Sequence, residues 1–302
     1  MLRQDLLTRA LSMTFDVILQ AVVLGLLQGG VYALVACGLT LIYGVMKIVN
    51  FAHAEFLTLG MYLSMAAFQM GASPYVAALP IFGVVAVMGA GIQRVLIRPA
   101  LQHPQINQML ITIGLSTMMI GAMQLIWGPN NQVLKLDWSG EALELGGVRL
   151  TYVRLISFVA AAAIAAMAWW FLKHTRTGMA MRAASQNPQS ARLMGIEVMR
   201  VNMITFGVGT GLAAMAGVLI APAFFANPTF GTDYFILPAF VIVVLGTMGN
   251  FAGALIGGLI IGVAEGLGGL VFGPALRQLV SLLLFVVVLL FLPRGLFKGK
   301  VS

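Results

Sequence analysis

Long apolar stretches alternate with short polar connections along nearly the whole chain, and this pattern constrains the fold more than any other feature. The stretches run at about 17–43, 56–70, 75–96, 109–127, 153–172, 203–225, 234–248, 254–272 and 279–292. A helix of about 20 apolar residues crosses the hydrocarbon core of a bilayer. Hydrocarbon offers nothing to an unpaired backbone amide, so each stretch must be helical or enclosed by protein. Composition agrees: 60% of the 302 residues are apolar and 9% are charged, whereas soluble domains carry about 25% charged residues. A disordered chain is excluded, and a soluble enzyme is argued against. The expected fold is all-α, a polytopic integral membrane protein with about eight transmembrane helices forming one domain over 1–302. Gly29 and Gly30 interrupt the first stretch, which reads as one kinked helix or as two pieces. It is too long for the apolar region of a cleavable leader. The stretch that contains Pro238 and ends before Gly249 is short, and reads as a half-helix or a re-entrant element.

The scarce charge orients the bundle. The net charge is +8, which in a membrane protein reads first as loop bias rather than affinity for nucleic acid. Segment 173–200 holds Lys173, Arg176, Arg182, Arg192 and Arg200 against one acid, Glu197. Arg94 and Arg98 lie in the 94–103 loop, and Arg294, Lys298 and Lys300 lie in the tail. All three regions are expected in the cytoplasm. The 128–151 loop balances Lys135 and Arg149 with Asp137, Glu141 and Glu144 and is expected outside. The side of the N-terminus stays open, because it depends on whether the first and seventh stretches cross completely.

The longest polar connection, 177–196, reads TGMAMRAASQNPQSARLMGI. Met179 and Ala183, then Ala191 and Met194, are spaced to form small apolar faces on two short helices. Asn187-Pro188 breaks them, since proline disfavours helical geometry in the residue before it. Such a hairpin is either a solvated loop that sets topology or a docking element for a soluble partner.

Two motifs carry a family resemblance. Thr175-Arg176-Thr177-Gly178, Arg182-Ala183, Asn187 and Leu193-Met194-Gly195-Ile196 resemble the coupling-helix region of ABC importer permeases of the Liv type, which serve branched-chain amino acids. The run Gly38-Leu39-Thr40-Leu41-Ile42-Tyr43-Gly44, followed by Val49-Asn50-Phe51-Ala52-His53-Ala54-Glu55, is similar to the same family. Ala54 stands where family members commonly have glycine. The resemblance implies a bacterial inner-membrane permease with a second permease subunit, two ATP-binding cassette subunits and a periplasmic or lipid-anchored substrate-binding protein. It implies that Gly178, Arg182, Ala183, Asn187, Leu193 and Gly195 belong to the ATPase-coupling surface within 173–200. Branched-chain or other hydrophobic amino acids are the expected substrates, with urea or short amides as alternatives.

Several chemistries lack their residues. No G-x-x-x-x-G-K-[ST] phosphate loop exists, so ATP hydrolysis is expected on partner subunits and not on this chain. The single cysteine, Cys37, and three histidines make neither a disulfide nor a metal site. No cofactor is expected. An intramembrane protease would need a nucleophile beside a base; Ser116 is the candidate serine, and His53 is the one histidine outside the loops.

Ionisable groups at membrane depth are functional candidates because each is costly there. Asn50, His53 and Glu55 read either as a capped helix start, with Asn50 as N-cap, or as a pathway or gate. Glu265, among Gly262, Gly266, Gly268 and Gly269, reads either as a structural hydrogen-bonding group or as part of the pathway. Gly249, Gly253 and Gly257, and one residue over Gly258, Gly262 and Gly266, repeat every four residues. Such faces allow close helix packing in lipid, and would also suit a dimer contact. The competing functional class is an ion- or proton-coupled secondary transporter, with a passive channel as the third.

Overall fold

A computed structural model describes residues 2–145, 147–273, 276–291 and 295–296; the expected tail cations Arg294, Lys298 and Lys300 lie outside them. The fold is all-α. Six helices are long and apolar enough to cross a membrane: α1 (Leu2–Met46, apolar from Phe15), α3 (Pro74–Ile92, continuing through a π-helical turn Gln93–Ile97 into α4, Arg98–Ala100), α5 (Gln105–Trp127), α6 (Tyr152–His174), α9 (Val198–Ile220) and α12 (Phe251–Phe272). Two shorter apolar helices, α11 (Ile236–Leu245) and α13 (Arg277–Phe291), accompany them, together with the 17-residue α2 (His53–Gln69).

Two polar layers close the ends of the bundle. At one end the 128–151 loop forms a hairpin of β2 (Ala142–Leu145) and β3 (Val148–Thr151). Its strand β1 (Gln132–Val133) pairs antiparallel with β4 (Phe225–Ala226), tying the loop to the connection after α9. At the other end lies the hairpin of α7 (Arg176–Gln186) and α8 (Pro188–Leu193). Lys47, Arg94, Arg98 and the five cations of 173–200 belong to this basic face. The N-terminal half of α1 sits at the strand face, where the Gln20 amide bonds both the N–H and the carbonyl of Arg149. Its end at Met46 is at the basic face.

Helix α1 is continuous through Gly29 and Gly30. These glycines act as points of close approach: a Cβ at Gly29 would stand 2.8 Å from the Gly258 carbonyl oxygen of α12, and one at Gly25 would stand 2.5 Å from that of Gly262. Gly258, Gly262 and Gly266 therefore lie against α1, while Gly253 and Gly257 lie against Gly246 and Ile242 at the end of α11. Both rows of small residues are consumed inside the chain. Gly249 lies outside the helix, because α12 begins at Phe251; it is a left-handed turn residue (φ 89°) packed on Gly44.

Burial separates a core from a shell. Helix α9 buries 18 of its 23 residues and α2 buries 12 of 17, whereas α5 buries four of 23. The α1–α2–α9 core uses small residues for contact: Gly60 and Gly217 admit the backbones of Ala214 and Leu57. The shell helices α3, α5, α6, α12 and α13 present exposed Val, Leu, Ile, Met and Phe side chains, the signature of a lipid- or subunit-facing surface.

Candidate functional site

Three polar constructions stand out, two within the bundle and one on its basic face. After Met46 the chain turns back inside the fold through 47–52 before α2 starts. Lys47 adopts a left-handed conformation (φ 56°), and Thr112 of α5 donates to the Val49 carbonyl. Asn50 is not the cap of α2. The helix begins at His53 with Ala52 as its boundary residue, and the Asn50 Oδ1 accepts from the Ala52 N–H at 3.2 Å, a turn one step earlier. His53 and Glu55 do lie in the first turn of α2, and both are fully buried. The His53 ring bonds the Val35 carbonyl of α1 at 3.0 Å.

Glu55 joins three elements. Its Oε1 accepts from Ser116 of α5 at 3.1 Å and from Thr232 of the short helix α10 (Phe230–Tyr234), while its Oε2 has no partner. Ser116 is the midpoint of α5, about 16 Å from each end at 1.5 Å per residue. Glu55 thus sits at half the height of the bundle and not at its cytoplasmic rim. Ser116 faces this carboxylate, and His53 is engaged elsewhere, so the serine–histidine pair that proteolysis would need is not assembled.

Helix α10 descends from the strand face and bonds the same part of α2 a second time, through the Gly231 N–H and the Thr58 hydroxyl at 2.9 Å. Helix α11 follows it, only ten residues long, and ends near the basic face. The pair α10–α11 is the broken segment that Pro238 announced.

Glu265 builds the second cluster, about two-thirds of the way along α12 toward the strand face. It accepts from the Tyr32 hydroxyl of α1 at 2.8 Å and from Ser281 of α13 at 2.5 Å. Arg277 Nε lies 3.2 Å from its Oε2, without a hydrogen-bonding alignment, so that contact is Coulombic. Tyr32 in turn packs edge-on to Phe235 at the α10–α11 junction, with centroids 5.2 Å apart. A buried carboxylate paired in this way need not be expelled.

The hairpin α7–α8 is the third construction. Thr175 caps α7 by accepting from Gly178 N at 3.0 Å, and Asn187 caps α8 by accepting from Gln189 and Ser190 N–H groups. Gly178, Met181, Ala184 and Ala191 face inward. Met181 rather than Met179 is the inward methionine, and Ala183 is half-buried. Gly178 packs on the end of α6, where a side chain would meet the Phe171 and Leu172 carbonyls. Arg182 donates to the Lys173 carbonyl. Leu193 and Met194 are 88% and 83% exposed at the C-terminal end of α8, and Gly195 closes α8 in a left-handed turn (φ 80°). No group of three metal-ligating side chains occurs among the described residues.

Comparison with known proteins follows this geometry. The family model described as branched-chain amino acid transport system / permease component matches residues 21–289. The high-affinity branched-chain amino acid transport system permease protein BraD of Pseudomonas aeruginosa is 31% identical over 92% of this chain and 95% of its own. The corresponding protein LivH of Salmonella typhimurium is 32% identical over 95% and 97%. The ribose import permease protein RbsC of Escherichia coli is 36% identical over 41% of this chain and 39% of its own. No solved structure matches. A match over this length, on a polytopic helical membrane protein, means that the chain belongs to the family of branched-chain amino acid transport system permease components.

Proposed function

We propose that the chain is one permease subunit of an ATP-driven importer of branched-chain or other hydrophobic amino acids in a bacterial inner membrane. It works with a second permease subunit, two ATP-binding cassette subunits and a periplasmic or lipid-anchored binding protein. The whole chain acts as one permease domain, and 173–200 is its coupling element. Family membership and the names of the relatives support this reading. The structural observation that carries it is the exposed Leu193–Met194 pair on a capped hairpin. Two large apolar side chains held out of a basic polar surface suit a groove on a soluble partner.

Force on that pair passes through 195–198 into α9 and, by way of α7 and Gly178, into α6. Helix α9 is the most enclosed helix of the core and lies against α2, which carries Glu55. A partner that closes on ATP binding would thus tilt the core against the shell, which is the motion alternating access needs. In this reading Asn50, His53 and Glu55 form the gate, which the contacts of α10 with Glu55 and Thr58 of α2 support.

Co-purification tests the reading. Replacing 177–196 by a Gly/Ser linker should release the ATPase subunits and abolish ATP-dependent uptake of labelled leucine, isoleucine and valine in proteoliposomes. Full association and uptake in that variant would overturn it. A panel containing ribose, urea and short amides identifies the substrate class.

A further inference from the structure

A cavity of about 800 Å³ lies at the basic face and away from both buried carboxylates. It is bounded by the end of α1, the end of α6, the inner side of α7 and the turn between α11 and α12. Lys47, Lys173 and Arg182 line it, and no acidic side chain does. None of the three makes an ion pair among the described residues. Lys173 lies over the Trp169 ring at 4.7 Å, and Lys47 stands 5.7 Å from the Tyr43 ring.

The cavity wall is also built for an anion. Asn250 caps α12 by accepting from the Gly253 N–H. Phe251 and Ala252, whose N–H groups precede the helical ladder, line the cavity. The dipole of a 22-residue helix therefore points its positive end there. A separate observation indicates a ligand. The hydroxyl of Thr40, 1% exposed and lining the same cavity, has no hydrogen-bond partner. The two non-glycine residues with left-handed backbone among the described residues, Lys47 and Thr247, both border the cavity as well. The rest of the wall is apolar through Leu41, Val45, Leu172 and Met181, with Ser185 and Gln186 of α7 as further polar lining.

We propose that this cavity binds a phosphate group, supplied by the headgroup of an anionic phospholipid of the adjoining leaflet. The cations and the α12 N-terminus hold the phosphate, Thr40 donates to a phosphate or ester oxygen, and the apolar wall takes the glycerol end of the acyl chains. An occupant so held would link α7 to the α11–α12 turn. The proposal does not depend on which solute the permease carries.

The test uses the full-length protein in nonionic detergent micelles. Tryptophan quenching is titrated with brominated phosphatidylglycerol and with brominated phosphatidylcholine, and calorimetry measures inorganic phosphate binding without lipid. Phosphatidylglycerol should quench at a lower mole fraction than phosphatidylcholine. Lys47→Gln and Lys173→Gln should each weaken it about fivefold, Thr40→Val should weaken it too, and Lys173→Arg should restore most of the binding. Arg192→Gln, the same charge change on α8 outside the cavity, should bind like the parent. Phosphate binding without lipid, with the same dependence on the lysines, would support the site with a soluble source. Equal weakening by Lys173→Gln and Arg192→Gln would overturn it, as would a lack of both phospholipid discrimination and phosphate binding. Lys173→Arg and thermal melts of every variant keep the result readable if a glutamine variant misfolds.

Discussion

Glu265 shows how much a single carboxylate can organise in a place where charge is scarce. Tyr32, Ser281 and Arg277 converge on it from α1 and α13, so its removal strands three polar groups at once. Glu265→Leu should lower the stability of the detergent-solubilised chain by about 2–3 kcal/mol. That is below the cost of breaking a fully buried pair, since Arg277 is 35% exposed and water screens it. Glu265→Gln keeps one acceptor oxygen, for Tyr32 or Ser281, and presents its NH2 as a donor to the other hydroxyl, so it should cost about 1 kcal/mol. Thermal unfolding followed by circular dichroism separates the two, and equal melting temperatures would remove Glu265 from the structural account. The acid itself was visible in the sequence, because a carboxylate within an apolar run is conspicuous. Its partners were not, because Tyr32 is 233 residues away and nothing local marks it. The same holds for Glu55: the motif around Asn50 drew attention to it, yet Ser116 and Thr232 reach it only through the packing of α5 and α10 on α2.

Among the elements, α1 and α12 depend most on what is missing from them. Their backbones approach so closely at Gly25, Gly29, Gly258 and Gly262 that a single methyl group has nowhere to go. Gly262→Ala should destabilise the isolated chain by about 1–3 kcal/mol, the usual cost of overpacking. Gly121→Ala, on a face of α5 where an added Cβ meets nothing within 4 Å, should be neutral or stabilising by up to about 1 kcal/mol from helix propensity. Comparing the two melting temperatures tests whether the glycine rows bind helices within the chain or are held for a partner. The period-four spacing of these glycines was legible, but not which helix each row meets. Gly249 fits the row by number and leaves it by structure, since spacing alone cannot reveal that the helix starts two residues later. The long apolar runs were the most legible elements, because hydrocarbon thickness sets their length. Lys47 and Asn50 mark a break between two stretches, but nothing local shows that the break folds back among the helices, so the inward return of 47–52 was hidden.

For the molecule as a whole, loop charge predicts which end of the bundle is cytoplasmic, and the start of α1 lies at the opposite end. The hydrogen bonds between Gln20 and Arg149 hold the first part of α1 at the strand face, opposite α7–α8. With the basic face in the cytoplasm, the N-terminal end of α1 is external, and α1, α2, α3, α5, α6, α9, α10–α11, α12 and α13 alternate in direction between the faces. The sequence left this parity open because Gly29 and Gly30 could have divided the first stretch into two pieces, whereas α1 runs through them as one helix. The single native cysteine makes the test direct: Cys37 is fully buried and should resist a membrane-impermeant maleimide in intact cells and in inverted vesicles. Ser190→Cys on α8 should label only in inverted vesicles. Asn130→Cys in the strand-face loop, and Asp16→Cys in α1, should label only in intact cells. Asp16→Cys reacting from the same side as Ser190→Cys, with Asn130→Cys still external, would place the N-terminus in the cytoplasm and require that one of α1, α2, α3 and α5 does not traverse the bilayer.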